Sequence, residues 1–449
     1  MASTVVGAGF DLGSIPTADE LGHELYALIR ELYPLNRSLT GNGNRESFAI
    51  LRRHAPFEVV EVPSGTPAFD WRVPREWNVR EAWIAGPDGE RIVDWADSNL
   101  HLLQYSISVD ETLSLEDLRP HLYSDPAHPD WIPFRTSYWD ENWGFCLSDR
   151  QLDSLAPGQY EVHIDATLAD GSMSYAEAVL PGTTEESVLV SAYSCHPSLA
   201  NDNLSGMALV TLLAKYLAHM PHRLTFRFLL SPGTIGPITW LSRNEDVVPS
   251  VRHALTCVCA GDEGDLTYKL SRDGDATIDR AVRRALLDEG KPHTIEEFVP
   301  WGGDERQFSS PGVGIPTGAL MRSPHGAYPE YHTSADDLDL VKPERLADTF
   351  QTYLRVLDIL DSNVTYTSTN QWGEPQLGRR DLYPKVSAGI DVGGDIDPRP
   401  MLWVLNLADG RHTLLDMAER SGFAFAPLRA AALRLEEHGL VERAGGEEL

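Results

Sequence analysis

The run Val188-Leu189-Val190-Ser191-Ala192-Tyr193 leads directly into a polar loop, residues 194–206, and then into an apolar segment, residues 207–217. A short apolar run without polar alternation marks a strand buried on both faces, and such strands occur where helices cover a parallel sheet. Residues 207–217 have helical periodicity, so strand, short loop and helix follow in order. This confines the chain to the α/β class, whose sites lie beyond the carboxyl ends of the strands. The loop holds His196 and Asp202, residue types that bind a borderline cation such as zinc. A turn that only caps the next helix has a similar composition, so the loop alone does not decide.

A second polar loop, Tyr331-His332-Thr333-Ser334-Ala335-Asp336-Asp337-Leu338-Asp339, precedes the helical segment starting near Pro343. Together the two loops resemble those of the bacterial zinc aminopeptidases, metallopeptidases with an α/β/α fold. The resemblance implies three metal ligands: His196, Asp202 within Asp202-Asn203-Leu204-Ser205-Gly206, and His332. It is closer to a divergent branch, described as polysaccharide-biosynthesis proteins with an aminopeptidase-like domain. The segments that carry it are Pro34-Leu35-Asn36-Arg37-Ser38-Leu39-Thr40-Gly41, Glu76-Trp77-Asn78-Val79, Gly302-Gly303-Asp304-Glu305-Arg306-Gln307-Phe308 and Leu377-Gly378-Arg379-Arg380-Asp381-Leu382-Tyr383-Pro384. The fold this implies is a zinc-aminopeptidase-like three-layer α/β/α domain with an inserted small β domain and a C-terminal winged helix.

At 449 residues the chain is long enough for two or three domains. Residues 16–55 have helical spacing. Residues 62–170 change character: short alternating runs are separated by Pro-Asp-Gly and Ala-Asp-Gly turns, with seven of the 11 tryptophans among them. They are read as an inserted β domain covering the pocket, its aromatics serving core and interface rather than a carbohydrate platform. Residues 1–61 and 171–384 form the aminopeptidase-like domain in this reading. Residues 366–395, rich in Gly, Pro and charge, are a linker, and 396–449 read as helix, turn, helix and strand.

The formal net charge of −30 argues against nucleic acid and against anionic membrane surfaces. The second helix expected in the C-terminal module carries Arg429 and Arg434 but also Glu436 and Glu437, which favours a packing module over a DNA reader. Residues 1–7 have no basic, apolar leader pattern, and no apolar run approaches 18 residues. The four cysteines lack structural-zinc spacing, so reduced thiols and a cytoplasmic location are expected. Homo-oligomerisation stays open.

In the family the remaining ligand is an Asp at the end of a central strand. Asp262, after Cys257-Val258-Cys259-Ala260-Gly261, is the best match and the expected fourth ligand. The resemblance also identifies a departure. The family places a general-base Glu and a second-metal Glu after the strand equivalent to 224–230, and the divergent branch typically has Pro-Glu-Thr-Ile-Gly there. This chain reads Pro232-Gly233-Thr234-Ile235-Gly236. Glycine carries no proton and threonine is a poor zinc ligand, so about one zinc ion rather than two is expected. Asp304 and Glu305, beyond Gly302-Gly303, are the candidate replacement carboxylates, with salt bridges to Arg306 as the alternative reading. Glu330, Tyr328 and Tyr331 are the candidate substrate contacts, and Asp336, Asp337 and Asp339 cap the following helix. The function expected is a metal-dependent hydrolase of an amide or peptide bond in a dedicated small-molecule or peptide-like substrate. The alternatives are a non-hydrolytic descendant in a biosynthetic pathway and a winged-helix regulator.

Overall fold

A computed structural model describes residues 9–382 and 397–444. The leader reading at residues 1–7, the Tyr383-Pro384 end of the last motif, and linker residues 383–396 lie outside the described residues.

The main sheet has eight strands, in the spatial order Glu58–Pro63, Ser172–Leu180, Thr225–Ser231, Ser187–Tyr193, Val251–Cys257, Thr317–Met321, Leu266–Lys269 and His293–Glu296. The four central strands, from Thr225–Ser231 to Thr317–Met321, are parallel. Every residue of Ser187–Tyr193 is buried. Val188, Val190 and Ala192 face one core and Leu189 and Tyr193 the other, as the two-residue strand period requires. From this strand the chain passes through helix Gly206–Leu217 to Thr225–Ser231 on one side. It then returns through helix Ile235–Arg243 to Val251–Cys257 on the other. The loops leaving these strands therefore diverge, and such a point opens a crevice at the strands' carboxyl ends.

Helix Ala18–Leu32 starts at a capping box made by Thr17 and Glu20 and buries Leu21, Leu25, Leu28, Ile29 and Leu32. It shares one core with Gly206–Leu217, Thr277–Glu289 and Pro343–Ser362. The last of these helices starts at Pro343, whose fixed φ suits a first turn. Ten of the twelve residues of Gly206–Leu217 are buried, which places it between layers rather than at the surface.

The chain leaves the main sheet after Pro63 and rejoins it at Ser172. Between them lies an antiparallel four-stranded sheet, in the order Arg91–Asp94, Glu76–Ala85, Gln159–Ala169, Val109–Ser114. Its core residues, among them Trp77, Ile84, Val162 and Ile164, belong to the same apolar cluster as Leu189, Leu229 and Trp240 of the other sheet face. Trp77 is core, but Trp71 and Trp139 are 40% and 46% exposed. The aromatics thus divide between core and surface.

The C-terminal module pairs Asp409–Thr413 and Val441–Arg443 with Thr365–Ser368, around helices Arg399–Leu407, Leu414–Ser421 and Phe425–Glu437. The expected linker therefore begins too early: residues 365–368 are a strand that buries Tyr366 and Ser368. Four residues are too few for their alternation to stand out beside the Gly- and Pro-rich stretch that follows. The module is docked firmly. Arg280 reaches Glu419 at 2.6 Å, and Arg429 reaches Asp358 at 2.6 Å. Among the described residues no helix is long and apolar enough to cross a membrane.

Candidate metal centre and its cavity

His196, Asp202 and His332 meet although Asp202 and His332 are 130 positions apart in the sequence. One ligand atom from each lies within 4.8 Å of the others. Asp202 Oδ2 stands 2.9 Å from His332 Nε2 and 3.9 Å from His196 Nε2. Ligands at about 2.0–2.2 Å from a tetrahedral ion sit roughly 3–3.5 Å apart, so these separations bracket what zinc needs. Asp202 Oδ2 and His332 Nε2 are both buried and face each other out of hydrogen-bond alignment, with no other hydrogen-bond partner. Orphaned buried polar atoms are costly, and a cation between them would satisfy both. Burial lowers the His196 pKa to about 4, leaving a neutral imidazole with a free lone pair. The residues fit a single zinc ion.

The surroundings fix these side chains. Arg37, wholly buried, donates from Nε to the His196 carbonyl at 2.9 Å, and its two other nitrogens donate to the carbonyls of Leu32 and Pro197. Asp336 accepts the backbone N–H groups of Asn201 at 2.6 Å and Asp202 at 2.9 Å. It therefore does not cap the following helix as expected; it holds the ligand loop. The peptide bond between Asp202 and Asn203 is cis. From the inserted region, Phe134 donates its N–H to the His332 carbonyl at 2.7 Å and places its ring 5.1 Å from both histidine rings. Tyr331 stacks flat on His332 at 3.9 Å.

Asp262 stands apart from the cluster. Its carboxylate accepts from Asn201 Nδ2, Gly264 N, Ser323 N and Ser323 Oγ at 2.6–3.2 Å. The structure does not bring this expected fourth ligand into the His196, Asp202, His332 grouping; Asp262 accepts four hydrogen bonds and ties the loop of residues 194–206 to residue 323. Glu305 has one oxygen engaged and one, Oε2, buried without a hydrogen bond. It is buried and bound to Lys269 Nζ at 2.6 Å, an ion pair that also holds the Trp301 carbonyl through the same ammonium.

Beside the cluster lies a cavity of about 530 Å³, lined by His196, His332, Tyr331, Gly233, Thr234 and Asp304 among others. Asp304 Oδ1 accepts the Thr234 N–H at 2.7 Å. Burial pushes the Asp304 pKa up to about 7, with Glu305 adding to the rise and Thr234 N–H and Arg306 opposing it. Thr234 has φ +62°, a conformation that a β-branched residue rarely adopts. Glu330 and Tyr328 are not among the lining residues. The Tyr328 hydroxyl is buried against Cys259 Sγ and Asp336. Of the three expected substrate contacts, only Tyr331 lines the cavity.

Sequence reasoning missed several lining residues. Tyr193 donates its hydroxyl to Asp202 Oδ1 and lies 3.2 Å from His325 Nε2. Cys195 Sγ is 3.6 Å from His196 Nδ1 and accepts the Gly233 N–H at 3.2 Å. Tyr138 and Trp139 reach in from the inserted region. His325 had a readable signal: Ser323-Pro324-His325-Gly326 is a turn following a buried strand, the same setting as His196.

The family described as "Domain of unknown function (DUF4910)" matches residues 26–363, and a winged helix-turn-helix family matches 364–443. A Clostridium acetobutylicum protein, provisionally named a polysaccharide biosynthesis protein with aminopeptidase-like domain, is 46% identical over 418 residues. The match covers 93% of this chain and 96% of that protein. A crystal structure from C. acetobutylicum, provisionally titled a peptidase, superposes with a TM-score of 0.89 at 45% identity, covering 95% of this chain and 97% of that one. A zinc aminopeptidase from Bacillus subtilis has the same fold at 13% identity, with a TM-score of 0.56 and coverage of 75% and 94%.

Proposed function

Because the chain belongs to the DUF4910 family, and carries the fold of zinc aminopeptidases ahead of a winged helix, we propose that it is a zinc-dependent amidohydrolase with one dedicated substrate. The observation that carries this reading is one cavity lined both by two histidines of the orphaned His196, Asp202, His332 group and by the titratable carboxyl of Asp304.

His196, Asp202 and His332 would hold the ion, and a bound zinc would polarise the scissile carbonyl and acidify water. The rest falls to side chains. Asp304 replaces the missing general base. Thr234 N–H fixes Oδ1, which leaves Oδ2 to take a proton from the attacking water and to return it to the leaving nitrogen. A pKa near 7 suits both transfers. The Tyr331 hydroxyl, kept protonated by burial, donates to the developing oxyanion. The relative's provisional name motivates placing the reaction in a biosynthetic pathway. The winged helix acts as a packing module, since Arg429 of its second-last element is committed to Asp358.

Gly233 favours a second reading, a pocket that binds its ligand without hydrolysis. Zinc-loaded protein separates the two when assayed on a panel of small amides beside its Asp304→Asn variant. Turnover that Asp304→Asn removes supports the hydrolase. Saturable binding without turnover in either protein supports the alternative.

A further inference from the structure

Arg306 sits at the cavity wall without a close ion pair; Asp304 on the same wall acts on its charge only from a distance. Its Nε is buried with no hydrogen bond, and its one polar contact is a long 3.4 Å approach of Nη2 to Thr234 Oγ1. No carboxylate lies within 4.0 Å of it among the described residues. Other arginines drawn into the body of the domain are matched. Arg227 meets Glu177 at 3.1 Å, Arg322 and Arg284 meet Asp348 and Asp288, and Arg37 spends its nitrogens on three carbonyls. A guanidinium taken partly out of water with only a distant counter-charge is poorly compensated, and an ionic ligand would supply a closer one.

The rest of the wall narrows the ligand. Asp304 is the one carboxyl among the lining residues, and in the proposed function it moves the proton. A free substrate ammonium would find no second carboxylate and would face Arg306. Glu330, a candidate substrate contact, does not line the cavity. The mouth is aromatic instead: Trp301 is 75% exposed, and Tyr138 and Trp139 are each 46% exposed.

We propose that Arg306 is a specificity-determining residue that pairs with a carboxylate of the substrate, so that the cavity takes N-acylated acids rather than peptides with a free amino terminus. This rests on the amidohydrolase reading. The planar fork of Arg306 suits two parallel bonds to a carboxylate, and the aromatic mouth covers the apolar part of the acid.

Binding rather than turnover tests it, so the failure of this proposal and of hydrolysis are distinguishable. Titration calorimetry on the zinc-loaded full chain compares N-acetyl-L-tryptophan with its neutral amide, within a panel of other N-acetyl amino acids. The acid should bind about 10–100-fold tighter, the span expected for charge-assisted pairing. Arg306→Gln should remove that preference and Arg306→Lys should keep part of it, with melting temperatures close to that of the parent. Equal affinity for acid and amide overturns the proposal. So does a preference that survives Arg306→Gln, or the absence of saturable binding by every acid in the panel. Displacement by inorganic phosphate at far lower concentration than by acetate would reassign the subsite to a phosphate group and overturn the carboxylate class.

Discussion

The backbone N–H of Thr234 donates to Asp304 Oδ1 at 2.7 Å, across 70 residues of sequence. This bond places a buried carboxyl against the loop in which Gly233 stands where the aminopeptidase pattern has its base. In the proposed function this carboxyl takes the base's place from a neighbouring loop.

Asp304→Asn should therefore lower turnover by about 10²–10⁴-fold, the usual contribution of acid–base catalysis. The parent rate should rise with pH through about 7, as Asp304 ionises, and the variant should lose that limb. Stability carries the opposite sign. A carboxyl whose pKa is raised on folding stabilises fully below its unfolded value near 4 and ceases to do so as pH rises through about 7. Urea midpoints between pH 4 and 8 should fall less in Asp304→Asn than in the parent.

Gly233→Glu should partly restore a conventional base. A Cβ at 233 would meet Cys195 Sγ at 3.3 Å, so the thiol need shift by only a few tenths of an ångström. Turnover of simple aminoacyl amides, followed by chromogenic release, should rise about tenfold or more. An unchanged rate in a correctly folded variant would place the deficiency elsewhere.

Arg37→Met should weaken zinc binding by about 10–100-fold, although Arg37 touches no ligand side chain. Its guanidinium, whose pKa burial lowers to about 9, positions the backbone of His196 and Pro197. Three buried carbonyls lose donors in the variant, costing about 2 kcal/mol or more in chemical denaturation. Competition against a zinc chelator reads the affinity.

Arg429→Ala should destabilise the whole chain by about 3 kcal/mol, because it removes the counter-charge of Asp358 and leaves only the Phe10 N–H on its carboxylate. Neither protein should show salt-dependent binding to duplex DNA by fluorescence anisotropy. The helix that carries Arg429 exposes Ala426, Pro427, Ala430 and Glu437, which offer no base-reading pattern.

Much of the α/β domain was readable because its strands are uninterrupted apolar runs and its ligand loops are short. The grouping of His196, Asp202 and His332 was implied by the resemblance of their two loops to the aminopeptidase pattern, and the folded chain brings the three together. Asp262 illustrates what was not readable. It lies in a strand-end loop like the others, but Asn201 and Ser323 hold it, and only the folded chain discloses that balance. Glu305 and Lys269 pair across 36 residues for the same reason. Trp139 and Trp77 look alike in sequence, yet one lines the cavity and the other fills the core. Such distinctions depend on which loops the tertiary fold brings together, which local pattern does not encode.

The central claim is the metal centre, and elemental analysis of the full chain purified without chelator tests it most directly. The account predicts zinc at a stoichiometry nearer one ion per chain than two. The metal should be lost on His332→Ala or Asp202→Ala and retained on Asp262→Asn if the variant folds. Absence of bound metal from the parent, both as purified and after zinc addition, would contradict it.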